Sequence, residues 1–419
     1  MTSGMQTFTT VFLAALIATS LVQIWLARRH IVHILAHKGV VPPDFADRIT
    51  LDAHQKAADY TVAKSRLSFF HIALDAAVLL AFTLGGGLNA LDHAWWSVLD
   101  SEILRGAALI ISVIFLSSIA EIPLGLYRTF VIDERFGFNK MTVGVFITDL
   151  FKSALVMLLL GLPLVLGVLW LMGTMGEYWW LYVWLAWTGF NVLVLAIYPT
   201  FIAPLFNKFT PLEEGELKTR IEGLLAKCGF RTSGLYVMDG SKRSSHGNAY
   251  FTGFGKAKRI VFFDTLIKKL SGDEVEAVLA HELGHFKRRH VVKRLVWMFG
   301  LSLAGLWILA QLMQADWFYG GLGVAHGSTY MALILFLLVS PVFTFLLHPL
   351  MALYSRKHEF EADQYAATTS SATALVRALV KMYQDNAATL TPDPLHSAFY
   401  DSHPPAAIRI ARLQHSVAH

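Results

Sequence analysis

The stretch KSALVMLLLGLPLVLGVLWLMGT, residues 152–174, carries one charged side chain, at its first position. A helix needs about 20 predominantly apolar residues to cross the hydrocarbon core of a bilayer. A surface helix of a soluble domain would show a polar stripe, and this run has none. It reads as a membrane span. Six further runs read the same way, near 7–27, 67–88, 106–127, 179–202, 294–314 and 329–353. Composition agrees. Of 419 residues, 55% are hydrophobic and 16% charged, against roughly 45–50% and about 25% in soluble domains. Mean hydropathy is +0.50. The first run has no basic segment before it, and Arg28 and Arg29 follow it. It therefore reads as a retained helix and not a cleaved signal.

Charge orients these spans. Residues 28–66 carry Arg28, Arg29, Lys38, Arg48, Lys56, Lys64 and Arg66, and the loop after the third span carries Arg128, Arg135 and Lys140. Residues 89–104, 175–178 and 315–328 carry no Lys or Arg. Basic loops stay cytoplasmic, so the N-terminus is expected outside and the polar segment 207–293 and the tail after 353 inside. A bacterial inner membrane and a eukaryotic ER-type membrane both fit. The net charge of +5 sits beside spans, where topology and anionic headgroups account for it. The partner it implies is a lipid bilayer, not nucleic acid. One cysteine, Cys228, excludes an internal disulfide and so a disulfide-stapled ectodomain.

Several spans hold polar groups, among them His71, Asp75, Glu121 and Asn191. Such groups usually face a bundle interior or a wet cavity. They line a water-filled chamber, or they make a few interhelical hydrogen bonds.

Residues 207–270 read as a small α+β unit. Residues 212–227 have helical periodicity, with acidic residues in the first turn and Gly229 as the C-cap. Gly234–Met238 and Arg259–Phe263 read as strands flanking the glycine- and aromatic-containing segment 244–256. A helix follows from about Gly272 to His290.

That helix contains His281-Glu282-Leu283-Gly284-His285, the H-E-x-x-H pattern. Positions i and i+4 share a helix face, so both imidazoles can reach one ion. The intervening glutamate is angled at the adjoining water position, where it can act as general base. A catalytic zinc needs a third protein ligand and an open position. His290 is one candidate. The segment Ser355–Asp363 offers others: His358, Glu359, Glu361 and Asp363. Glu359 and Asp363 share a helix face, and Glu361 points elsewhere. One carboxylate can bind the metal while its partner orients a ligand histidine. Without a site, the motif is a surface helix with two stray histidines and 355–363 a solvated juxtamembrane helix.

Six segments together resemble the M48 family of membrane metallopeptidases, most closely its CAAX prenyl protease 1 branch. They are Glu134–Lys140, Tyr198–Pro211, His246–Gly255, His281–His285, Ser355–Asp363 and Ser402–Pro405. The resemblance implies an α-helical integral membrane protein of about seven transmembrane helices, enclosing a chamber, with a small α+β zincin-like catalytic domain. It implies one Zn2+ per chain, held by His281, His285 and Glu359. Glu282 becomes the general base and Asp363 the partner of a ligand histidine. Asn248 and Ala249 match an edge strand that binds an extended peptide. His403 and Arg409 match residues near the oxyanion of the tetrahedral intermediate.

The expected division is 1–206, five spans with cytoplasmic loops 28–66 and 128–151; 207–293, the catalytic segment; 294–353, two further spans; and 354–419, a cytoplasmic helical segment completing the zinc site. The expected activity is that of a zinc endopeptidase. The resemblance implies a peptide or protein substrate, cut to remove the C-terminal tripeptide next to a prenylated cysteine. Membrane-protein quality control, as in the related HtpX branch, is the alternative. A zinc-binding transporter or receptor is the rival of another class; it leaves Glu282 between two ligands unexplained.

Overall fold

A computed structural model of the chain describes residues 3–252 and 258–417. Among these residues, seven helices are long and apolar enough to cross a membrane. They begin with Ser3–His37, Leu51–Phe82, Glu102–Tyr127, Val143–Thr174 and Trp179–Ile197. His290–Leu312 and the helical run Thr329–Thr369 follow the polar segment 207–293.

Several helices outrun the apolar stretches that predict them. Ser3–His37 has 35 residues, about 52 Å at 1.5 Å per residue, against about 30 Å of hydrocarbon. Hydrogen bonding inside the helix does not stop where lipid stops, so the basic end continues as helix into water. The sequence-predicted span 329–353 differs in another way. It tightens to a 3-10 turn at Phe345–Leu347 and continues as the helix His348–Thr369. Pro349 sits in that helix's first turn, where its missing N–H costs no hydrogen bond.

The membrane helices share a core that includes Phe12, Leu88, Leu109, Leu309, Leu322 and Leu335. The third and seventh spans approach closely at Gly106, where a Cβ would lie 2.6 Å from the Tyr330 Cβ. Among the intramembrane polar residues, His71, Asp75 and Glu121 cluster between helices, and Asn191 does not. His71 Nδ1 lies 3.0 Å from Glu121 Oε2, joining the second and third spans. Asp75 and Glu121 also line a cavity of about 390 Å³ with Thr19, Ser20, Gln23 and Ser117. Asn191 donates to the Trp187 carbonyl of its own helix.

The polar segment between the fifth and sixth spans is built on a four-stranded sheet. Its strands are β1 (Phe209–Pro211), β2 (Gly234–Met238), β3 (Ala249–Thr252) and β4 (Arg259–Phe263), in the order β1-β2-β4-β3. β2 and β4 are parallel, with Gly234 opposite Arg259. β3 is antiparallel to β4, with Ala249 opposite Phe262. β3 therefore forms one edge of the sheet. Residues 253–255, the end of the sequence-predicted peptide-binding strand, lie outside the described residues. The helix Glu216–Lys227 ends at Gly229, whose φ of +63° is the left-handed cap geometry that glycine adopts without strain.

The helix Gly272–Lys287 begins at a reciprocal cap. Ser271 and Glu274 each bond the other's backbone, which satisfies two otherwise orphaned N–H groups. The helix stops earlier than the His290 expected of it. Arg289 adopts a left-handed backbone, φ +56°, and His290 opens the sixth span. One hydrophobic core, including Ile221, Phe262, Leu279, Leu375 and Ile410, binds the sheet to helices from both sides of the last two spans.

Candidate metal centre

The helix Gly272–Lys287 packs against His348–Thr369 more closely than side chains normally permit. Gly284 makes this possible: a Cβ there would lie 2.9 Å from the Ala362 Cα. The contact brings residues 74 positions apart in sequence to one point. His281 Nε2 and His285 Nε2 are 3.2 Å apart. Glu359 Oε2 lies 3.5 Å from His281 Nε2, and Glu359 Oε1 lies 3.2 Å from His285 Nε2. Ligand atoms of the three residues all lie within 4.8 Å of one another.

The triangle fits a zinc ion. Tetrahedral bonds of about 2.0–2.1 Å place neighbouring nitrogens about 3.3 Å apart; the two imidazole nitrogens are 3.2 Å apart, and the Glu359 carboxylate faces both, Oε2 toward His281 and Oε1 toward His285. Glu359 Oε2 is buried without a hydrogen-bond partner among the described residues, a costly state unless a cation serves it. Burial disfavours a charged His281, yet Asp363 and Glu359 outweigh it and push the imidazole up to about 9. The surroundings thus favour a positive charge at this point.

The side chains behind the triangle are themselves held. His281 Nδ1 lies 2.9 Å from Asp363 Oδ1. The Arg409 guanidinium donates to both oxygens of Asp363, at 2.8 and 2.6 Å, and its Nη1 lies 3.6 Å from Glu359 Oε2. Arg409, Asp363 and Glu359 are all buried. Glu282, between the two histidines, has its carboxyl raised by burial, against the opposing pull of His281 and His285. A raised carboxyl is better matched to proton transfer near neutrality.

His403 sits on the open side. Its side chain is 59% exposed, with Nε2 3.4 Å from Glu359 Oε1 and Nδ1 3.0 Å from Ser402 Oγ. Asn248 precedes β3; its backbone carbonyl accepts from Phe263 N at 2.9 Å, and Ala249 is the strand's first residue.

Two candidates for the third ligand do not join the triangle. His290 Nδ1 meets His285 Nδ1 at 3.0 Å, on the side of that ring opposite the triangle. His358 stacks on His290, centroids 4.0 Å apart and planes at 9°. Residue type and proximity in sequence made both eligible; ring orientation removes them. Glu361, expected to point away from Glu359, does so and lies 3.0 Å from His290 Nε2. The contacts of His290 and Glu361 were not foreseen from sequence. The nearest available signal was a third histidine five residues after His285, at the edge of a span.

A largely buried His-His-carboxylate cluster with a glutamate beside it, in a chain of seven membrane-length helices, defines a membrane metallopeptidase. The chain matches "CAAX prenyl protease N-terminal, five membrane helices" over residues 30–208 and "Peptidase family M48" over residues 211–417. It belongs to peptidase family M48. It is 36% identical to a CAAX prenyl protease 1 homolog of Oryza sativa subsp. japonica, covering 89% of this chain and 90% of that protein. It is 34% identical to CAAX prenyl protease 1 of Saccharomyces cerevisiae, covering 90% and 88%. The crystal structure of S. mikatae Ste24p superposes with a TM-score of 0.90 at 32% identity, covering 97% of this chain and 98% of that one.

Proposed function

We propose that this chain is a zinc-dependent endopeptidase that removes the C-terminal tripeptide beside a prenylated cysteine. The observation that carries the reading is the His281–His285–Glu359 cluster, two imidazole nitrogens 3.2 Å apart facing one buried carboxylate, a donor set that suits zinc. The similarity to CAAX prenyl proteases over about nine-tenths of both chains supplies the substrate class. Positive charge in loops 28–66 and 128–151 supports an N-terminus outside and a site opening to the cytoplasm. Functionally, segments 1–206 and 294–353 form the membrane body, and 207–293 with 354–419 form the catalytic unit.

His281, His285 and Glu359 would hold the ion, which supplies Lewis-acid polarisation of the scissile carbonyl and a more acidic water. The residues of the chain do the rest. Glu282 accepts a proton from the attacking water and returns it to the leaving amine. Asp363 holds His281 through Nδ1, so Nε2 keeps its lone pair for the ion. An extended peptide lies along the Asn248–Ala249 edge by backbone hydrogen bonds. His403, exposed beside Glu359, donates to the developing oxyanion, and Arg409 adds positive charge from behind Glu359.

The test is hydrolysis by purified protein of a farnesylated CAAX-type peptide and its unmodified counterpart, with and without a chelator. Chelator-sensitive cleavage with a large preference for the farnesylated form is expected. Equal cleavage of both points instead to membrane-protein quality control. Zinc binding without hydrolysis of either overturns the peptidase mechanism.

A further inference from the structure

The two histidines of the triangle are backed by different partners. Asp363 stands directly behind His281. Behind His285 stands another histidine, His290, and behind that a carboxylate, Glu361. The chain is bent to bring this about. Arg289, at φ +56°, reverses the path between the catalytic helix and the sixth span. A non-glycine side chain in that region costs about 1–2 kcal/mol, and such strain persists where surrounding contacts over-determine it. The reversal returns His290, five residues on, to the ring of His285.

We infer that His290 and Glu361 form a positioning relay that fixes the tautomer and ring orientation of His285, on which metal binding at this site depends. The hydrogen bonds can run in only one direction if His285 keeps its Nε2 lone pair for an ion. His285 then carries its proton on Nδ1 and donates it to His290 Nδ1, 3.0 Å away. His290 carries its own proton on Nε2 and donates to Glu361 Oε2, also at 3.0 Å. Every ring nitrogen is used once, and no charge is created. His290 is buried and cannot turn away, because His358 stacks on its face at 4.0 Å. Lys293 Nζ, 3.9 Å from Glu361, holds the end of the relay. The helix His348–Thr369 thus delivers a carboxylate to the triangle with Glu359, one to His281 with Asp363, and one to the relay with Glu361.

The inference rests on the triangle being a zinc site, so the experiment measures that separately. Zinc dissociation constants are determined by chelator competition for the purified wild type, His290→Phe, His290→Asn and Glu361→Gln, with thermal unfolding of each in its metal-free form. Phe retains the stack on His358 and loses both hydrogen bonds. Asn retains an oxygen near the Nδ1 position. His290→Phe is expected to bind zinc about 10–100-fold more weakly, with metal-free stability unchanged. His290→Asn is expected to recover most of the affinity. Adding Glu361→Gln to His290→Phe is expected to cause no further loss, because the relay is already cut. Zinc affinity of His290→Phe within twofold of wild type, or independent additive losses in the double variant, overturns the relay. A wild type that fails to bind zinc overturns instead the reading of the triangle.

Discussion

Gly284→Ala tests whether one missing side chain sets the geometry of the metal site. An added Cβ would lie 2.9 Å from Ala362 Cα, 3.0 Å from Tyr365 Cβ and 3.1 Å from the Ala362 carbonyl oxygen. Carbon atoms in ordinary contact are about 3.5 Å apart. The obstructing atoms are backbone or directly attached to it, so no rotamer change relieves them. The two helices must separate by about half an ångström. Overpacking costs about 1–3 kcal/mol, and alanine's helix preference over glycine returns about 1 kcal/mol. The net loss of metal-free stability is at most about 2 kcal/mol. The effect on the site is larger in proportion. Glu359 lies on the displaced helix, 3.2 and 3.5 Å from the two imidazoles. Metal–ligand distances tolerate about 0.2 Å. Zinc affinity should therefore fall about 10–100-fold. Chelator competition in detergent measures this, with thermal unfolding of both forms to separate stability from binding. Wild-type zinc affinity in the variant would refute the argument that Gly284 sets the helix spacing.

Glu282→Gln should keep the fold and bind zinc at wild-type stoichiometry while losing about 10²–10⁴-fold in hydrolysis; elemental analysis and a peptide assay on the same sample check it. Asp363→Ala leaves the buried Arg409 guanidinium without its bidentate partner, which should cost about 3–5 kcal/mol, read as a lowered unfolding midpoint. Acid should weaken the start of the catalytic helix. Burial opposes ionisation of Glu274, but hydrogen bonds from Lys381 and from Ser271 outweigh it and hold its carboxyl below the ordinary value. A depressed folded-state value stabilises the fold above the unfolded pKa, about 4.3, and that contribution is lost as pH falls through the folded value. The gap in unfolding midpoint between wild type and Glu274→Gln should be constant above about pH 5 and narrow as pH drops below about 4. A gap that widens in acid would contradict the assignment.

Much of this protein was written in short-range sequence patterns. The seven spans follow from runs whose apolar length alone meets the bilayer's requirement. β2 and β4 occupy the segments expected of them, Gly234–Met238 and Arg259–Phe263, because both are β-branched or aromatic and bounded by turns. Gly229 marked a helix end because left-handed backbone favours glycine. His281 and His285 could be paired by spacing, since a helix stacks positions i and i+4 whatever surrounds it. The family resemblance, and not local pattern, singled out Glu359 among five candidates.

The rest required the tertiary structure. Arg289's backbone reversal ends one helix three residues early and turns His290 from a ligand candidate into a neighbour of His285's far nitrogen. Nothing in the residue type of Arg289 announces a positive φ. Arg409 and Asp363 lie 46 positions apart, and their buried pairing depends on how the C-terminal helix crosses His348–Thr369. Sequence alone determined which residues could bind a metal and which helices carry them, because periodicity and hydropathy are properties of neighbours along the chain. Only the tertiary structure decided which nitrogen of each ring faces Glu359, and what stands behind it. Ring orientation is set by packing between helices that meet across 74 residues of intervening chain and two membrane spans.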